Sequence, residues 1–387
     1  MIIHTVSCGD TVFSIARKYA VSPVKIIENN ALLYPDRLTV GQKLLILTPT
    51  KTYFVRGGDT AAKICRRFGI RKNALLAANP ALHGKQHLRA GSELVLKYDQ
   101  PQFGAAAMNG YIYENTSMDR FYTLLPYLTY LTFCCLGREA EQMLNIANAE
   151  QKISLLRLRF SDLWEKRKEN GAPLAPMAQR IKNMGFKGIV ISQPPRDITP
   201  SEREAFIFDI KKDLLGMDML LFCEAEGEGH DQNHDAADAV IVFYEKCNRS
   251  EIPSFENGER QVYERYAEGN DSGKAFIELS SFGYDGEKPL TIEQIQKIAI
   301  KYGAEFKNDE EKGISILSYN QYKNGKGRKA SICFENLDNT KSKLALMHEL
   351  GFMGAAFDVG RVPISFLMML YTTFTGIEYG LSEAFDF

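Results

Sequence analysis

Several things are scarce in this chain of 387 residues, and each scarcity excludes something. There is no charge excess: 47 basic residues face 48 acidic ones, so no overall field points to nucleic acid or an anionic membrane surface. No apolar run is long enough to cross a bilayer; LLPYLTYLTFCCL (124–136) is among the longest. The seven cysteines form no CxxC pair and are odd in number, which argues against a disulfide framework and for folding in a reducing compartment. The first residues, MIIHTVSCGD, lack a basic start and an apolar stretch, so the expectation is synthesis in the cytoplasm without a signal peptide. Tryptophan occurs once, at Trp164, and from Asn170 through Arg196 there is no Asp or Glu.

What is present first is a repeat. HTVSCGDTVFSIARKYAVSPVKIIENN (4–30) aligns with YFVRGGDTAAKICRRFGIRKNALLAANP (53–80). Gly9-Asp10-Thr11 matches Gly58-Asp59-Thr60, Tyr19 matches Phe68, and Asn30 falls near Asn79-Pro80. Each copy closes on a strand-like segment after a glycine, VGQKLLIL (40–47) and AGSELVLK (90–97). The pattern predicts a strand, a turn at Gly-Asp-Thr, two short helices and a second strand, with Asp10 or Thr11 capping the first helix.

These motifs, over about residues 2–98, strongly resemble a LysM domain occurring twice. The resemblance implies a βααβ fold that binds N-acetylglucosamine-containing glycan, peptidoglycan or chitin-like, between the loop after the first strand and the loop before the second. It carries to Asp10, Thr11 and Val12 with Asn30, Ala31 and Leu32, and to Asp59, Thr60 and Ala61 with Asn79, Pro80 and Ala81. The same Gly, Asp and Thr would serve a turn and a cap without any ligand. Two weak sites on one chain would gain from effective concentration on a polymer.

Beyond QPQFGAAAMNG (100–110), which reads as a linker, apolar runs alternate with helical stretches. Candidate strands are 109–115, 128–136, 153–160, 186–192, 218–225, 238–245, 274–282 and 353–359. Eight of them predict an α/β fold, a TIM (β/α)8 barrel, with a small α+β insertion over 283–337. The expected divisions are 1–49 and 50–98 for the repeats and 108–376 for the barrel. LTYLTF, GFKGIVIS, ADAVIVFYEK, TIEQIQKIAIKYGAEFKNDE and ICFENLDNTKSKLALMHELGFMGAAFDVG, in that order, resemble a family 18 glycoside hydrolase barrel of the LysM-bearing, spore-associated kind.

That family uses a substrate-assisted mechanism with D-x-x-D-x-D-x-E on strand four. Laid on this chain, the pattern starts at Lys187 and places Val190, Ser192 and Pro194 where its other acids would stand. The family's strand-eight Trp would align near Asp358. Its strand-six Tyr survives in Phe243-Tyr244-Glu245, where Tyr244 either holds an N-acetyl group or packs at a strand end. Losing one general acid removes a rate factor of roughly 10²–10⁴. The expectation is therefore no catalytic residue of the family type, and no cofactor.

Displaced acids are the counter-reading, drawn from CEAEGEGHDQNHDAAD (223–238). Glu224, Glu226 and Glu228, with Glu114, Glu245 and Asp358, could meet at the mouth; a solvated acidic loop is the plainer expectation. His230 and His234 with Asp231, Asp235 and Asp238 suggest a metal only if helical, and no second cluster completes a set, so no metal site is expected. The barrel-pocket candidates are Tyr244, Glu245, Glu224 and Asp358. The leading expectation is a wall-binding protein with an inactive barrel, set in a spore cortex or coat, with spore coat proteins as possible partners. An active N-acetylglucosaminidase or cortex-lytic hydrolase, and a barrel that docks or inhibits another protein, are the alternatives.

Overall fold

In the computed structural model, residues 1–82, 88–98, 103–170, 173–195, 197–226, 235–244, 258–279, 282–285, 288–323 and 326–375 are described. The first repeat runs β1 (Ile2–Thr5), α1 (Val12–Tyr19), α2 (Pro23–Asn30) and β2 (Lys43–Ile46), with β1 and β2 antiparallel. The second runs β3 (Pro49–Phe54), α3 (Ala61–Phe68), α4 (Lys72–Ala77) and β4 (Glu93–Tyr98), paired in the same sense. Thr11 caps α1, accepting from the Ser14 amide while the Ser14 hydroxyl returns to the Thr11 amide. Thr60 does the same job for α3 through the Lys63 amide. Capping by Thr satisfies amides that the first helical turn leaves unpaired.

The segment predicted as a linker carries a short strand instead. β5 (Phe103–Ala105) pairs with Phe374–Thr375, and the Phe103 ring stacks on His348 at 4.2 Å. The barrel follows. Its first three strands are β6 (Ala107–Ile112), β7 (Tyr130–Phe133) and β8 (Ile153–Leu158), linked by α5 (Met118–Leu124) and α6 (Arg138–Ala149). Helices α7 (Phe160–Asn170) and α8 (Ala175–Asn183) precede β9 (Gly188–Ile191); α9 (Pro200–Leu215) precedes β10 (Leu220–Glu226) and β11 (Ala239–Phe243). Then come α10 (Glu259–Gly269) and β12 (Ala275–Glu278).

An inserted sheet of β13 (Phe282–Asp285), β14 (Lys288–Thr291), β15 (Phe306–Asp309), β16 (Ile314–Lys323) and β17 (Lys326–Glu335) packs on α11 (Ile292–Tyr302). The chain returns through α12 (Leu337–Glu349), β18 (Gly354–Asp358) and α13 (Ile364–Thr373). β6, β7, β8, β9, β10, β11, β12 and β18 close into one barrel, parallel at every pair. Its interior is filled by alternate residues, among them Tyr111, Tyr130, Leu155, Val190, Phe222, Ile241, Phe276 and Ala356. A strand's period of two aims these inward and their neighbours at the helices. Gly354 is needed at the closing pair, where a Cβ would stand 1.7 Å from the Ala107 carbonyl oxygen.

The repeats are docked rather than strung out. Gly41, at φ +82°, lets the first repeat lie against the insertion: the Phe306 amide donates to Val40 O at 2.9 Å and Asn308 Nδ2 to Gly41 O at 2.8 Å. Lys43 reaches Asp338 at 2.8 Å. The second repeat is held by the Tyr127 hydroxyl, which donates to Ala77 O at 2.6 Å.

A buried lysine marks the lower rim of the barrel. Lys152, 5% exposed, donates to Leu128 O, and burial lowers its ammonium to about 8. Above that pH the folded chain has lost this proton while the unfolded chain keeps it up to about 10.4. The unfolded state then binds more protons, so the contribution of Lys152 should become more favourable by roughly 2–3 kcal/mol between about pH 8 and 10.5. The buried Cys134 and Cys223 thiols, both pushed up to about 12, act in the opposite sense over the same window, so the test is the difference between wild type and Lys152→Met in urea titrations, which should shrink as pH rises.

Candidate functional site

The C-terminal ends of the barrel strands carry the residues where a barrel enzyme keeps its chemistry. Strand four, β9, places Val190 in the inner layer, as its alignment required. Beyond it the Ser192 hydroxyl accepts from the Phe160 amide at 3.0 Å, and Gln193 and Pro194 follow without an acid. Asp197, the first acid after this strand, lies in a turn; α9 starts at Pro200 behind a Thr199–Glu202 capping box.

Glu224 departs from the solvated-loop expectation. It sits on β10, inward like Phe222 two residues before it, and is 3% exposed. The segment belongs to a strand because Leu220–Glu226 pairs with both β9 and β11. Arg157 on β8 grips the carboxylate through Nε at 2.6 Å and Nη2 at 2.7 Å. The Tyr111 hydroxyl adds a bond at 3.0 Å and the Gln193 amide a longer one at 3.4 Å. Burial works against the Arg157 charge, but the Glu224 bonds overcome it and hold the guanidinium above its ordinary value. Both carboxylate oxygens thus face donors, the arrangement of a fixed ion pair rather than of an acid aimed at a leaving group.

Asp358 is different. It ends β18 and lines a cavity of about 330 Å³ with Tyr111, Tyr113, Phe243, Glu278 and Arg361. Burial raises its carboxyl above the usual range, against the Gly360 amide at 2.7 Å and Arg361 at 3.4 Å. β11 gives this cavity Phe243, whose ring meets Tyr111 edge-on at 6.0 Å. Tyr244, one residue on and of opposite parity, is not among the lining residues. The lone Trp164 packs between Phe160 and Phe206, away from β18. Burial pushes the Cys134 thiol, near Arg157 and Glu224, up to about 12, which keeps it in the less nucleophilic protonated form at neutral pH.

Glu228, His230, Asp231, His234 and Glu245 lie outside the described residues. Asp238 is spent on Lys211, at 2.6 Å, and on the Leu221 amide. Sequence reasoning missed Arg157, Tyr111, Tyr113, Glu278 and Arg361. Arg157 had a signal: in LLRLRF it is two residues past inward Leu155, so strand parity alone aims it at the axis.

In the repeats the predicted side chains divide between frame and surface. The Asp10 carboxylate accepts from the Ser7 amide at 2.8 Å and meets His4 Nε2 at 3.1 Å. The Ser7 amide and then His4 outweigh burial and hold it below its ordinary value. Asp59 is held likewise by the Tyr53 hydroxyl at 2.6 Å and the Arg56 amide at 2.8 Å, the former being the larger cause of its lowered value. Val12 and Leu32 are core residues, Pro80 is buried, and Ala61 is half-buried. Asn30 donates to Ile26 O and Leu45 O and accepts from the Leu45 amide; Asn79 does the same with Leu75 and Val95. Each Asn therefore ties its second helix to its second strand.

Asn79→Asp should destabilise the chain by about 2–3 kcal/mol, because a carboxylate would face two carbonyl oxygens in place of an NH2. Thermal and urea unfolding check this, and the lesion should appear with no glycan present.

A LysM domain model matches residues 4–47 and 53–97. The chain thus carries two LysM domains ahead of a closed (β/α)8 barrel. The spore cortex-lytic enzyme SleL of Bacillus megaterium QM B1551 has the same fold, with a TM-score of 0.72 at 21% identity over 96% of this chain and 98% of that one. The GH18 chitinase ChiB of Flavobacterium johnsoniae matches 70% of this chain and 94% of its own at a TM-score of 0.51 and 12% identity. The cell wall-binding protein YocH of Bacillus subtilis (strain 168) is 35% identical over 97 residues, 24% of this chain and 33% of that protein. The chain spans a third or less of the length of the curated relatives it matches. Among the described residues no helix is long and apolar enough to cross a membrane.

Proposed function

We propose that this chain binds N-acetylglucosamine-containing glycan of the peptidoglycan or chitin type through its LysM domains. The barrel, on this reading, binds without cleaving, and the protein works at a spore cortex or coat. We divide the chain accordingly into 1–49, 50–98 and 108–376, with 283–337 inserted. The glycan-facing loops are those of Asp10 and Thr11 and of Asp59 and Thr60, with the segments at Asn30–Leu32 and Asn79–Pro80 opposite. The observation that carries the inactive barrel is the pairing of Glu224 with Arg157 beside a fourth strand that is followed by Ser192, Gln193 and Pro194. The test is retention on insoluble peptidoglycan with no release of reducing ends or muropeptides from it.

One observation favours a second reading, an active hydrolase with a relocated acid. Asp358 is half-buried, its carboxyl is raised by desolvation, and it lines the aromatic cavity with Glu278 of the neighbouring strand β12. Turnover of N-acetylglucosamine oligomers that Asp358→Asn abolishes and Glu224→Gln spares would replace the first reading by this one.

A further inference from the structure

The two repeats meet at a groove that neither has alone. It encloses about 640 Å³, within the size range of small-ligand pockets. The first repeat contributes Val24, Lys25 and Glu28 of α2; the second contributes Phe54 of β3, Glu93 of β4 and Arg89 ahead of it. The repeats are locked across it, since Asn29 Nδ2 donates to the Tyr98 hydroxyl at 3.2 Å and Lys25 Nζ reaches Asn79 Oδ1 at 3.3 Å.

Three features of this groove suit a sugar. Phe54 and Val24 are 62% and 55% exposed, and both line the groove, one from each repeat. A ring of C–H groups can pack on such surfaces, as on any aromatic face. Lys25 is 3% exposed, and among the described residues its ammonium has two partners, Glu28 at 2.6 Å and Asn79 at 3.3 Å, for three N–H groups. A buried ammonium with one proton unspent asks for an oxygen acceptor. Among the described residues the charged lining balances, Lys25 and Arg89 against Glu28 and Glu93, which favours a neutral ligand over a polyanion or a polycation.

We infer that the groove between the repeats is a shared subsite for a neutral N-acetylated sugar chain. Phe54 and Val24 pack against its rings, and Lys25 donates to an acetyl or hydroxyl oxygen. The inference rests on the glycan-binding reading and adds a place outside the Gly-Asp-Thr loops. One chain would then engage both repeats at fixed geometry, where two loop sites would act separately.

The test is titration calorimetry of the full chain with an N-acetylglucosamine tetramer and with its de-N-acetylated counterpart. Phe54→Ala and Val24→Asp, both at exposed positions, should each weaken the neutral tetramer by about tenfold or more. Phe208→Ala, exposed on the barrel, should stay within about twofold, and the cationic tetramer should bind at least about tenfold more weakly than the neutral one. Wild-type affinity in both Phe54→Ala and Val24→Asp overturns the shared subsite. If affinity is then lost in Phe13→Ala or Leu33→Ala beside the loops, glycan binding stands and only the groove falls. No binding by the wild type removes both readings.

Discussion

Arg157→Ala should lower the unfolding free energy by about 3–5 kcal/mol, the range for breaking a buried ion pair from one side. The reason is Glu224. At 3% exposure it has no route to bulk water, and Arg157 supplies its two shortest hydrogen bonds. Tyr111 and the Gln193 amide remain but carry no full charge. The orphaned carboxyl is expected to take up a proton in the folded state. Its folded value in the variant would then exceed the unfolded one, so the variant's stability should fall as pH rises between them. Arg157→Leu with Glu224→Leu should recover most of the loss, because no buried charge is left unpaired. Urea unfolding of the three variants at pH 5 and 8 decides it. A single substitution costing under about 1 kcal/mol would mean that water reaches the mouth and that Glu224 is not fixed.

A loss of similar size is expected from Lys343→Met. Lys343 on α12 is 1% exposed and lies 2.7 Å from Glu259 of α10 and 2.8 Å from Glu335 of β17. One ammonium thus joins the insertion to a barrel helix, with two buried carboxylates around it. Removing it takes the shared cation from between two buried carboxylates, and about 3–5 kcal/mol is the expected cost. The two carboxyls can recover part of that by binding a proton, so the deficit should be smaller at pH 5 than at pH 8. Hydrogen exchange should locate the damage at β17 and the start of α10, while the LysM repeats keep their protection. Equal loss of protection across the chain would show the insertion and the barrel to be one cooperative unit.

The strand and helix order was legible in the chain itself, because period-two apolar runs and cap residues such as Thr11, Thr60 and Thr199 are local signals. So was the loss of the strand-four acids, since a strand fixes which residues share its inner face and none there is acidic. The duplicated Gly-Asp-Thr turn was legible for the same reason. What stayed hidden was who meets whom. Glu224 reads as part of a solvated acidic run until β9 and β11 flank it and β8 brings Arg157 across the axis. That Asn30 and Asn79 also tie helix to strand shows only when their amides close on Leu45 and Val95. The groove between the repeats depends on how the two pack, through Asn29, Tyr98 and Lys25, none of which has a distinctive sequence neighbourhood. Short-range torsional and capping preferences act within a few residues and are written in order along the chain. Desolvation and charge pairing act between residues tens to over a hundred positions apart, and only closure of the barrel and docking of the repeats bring those within reach.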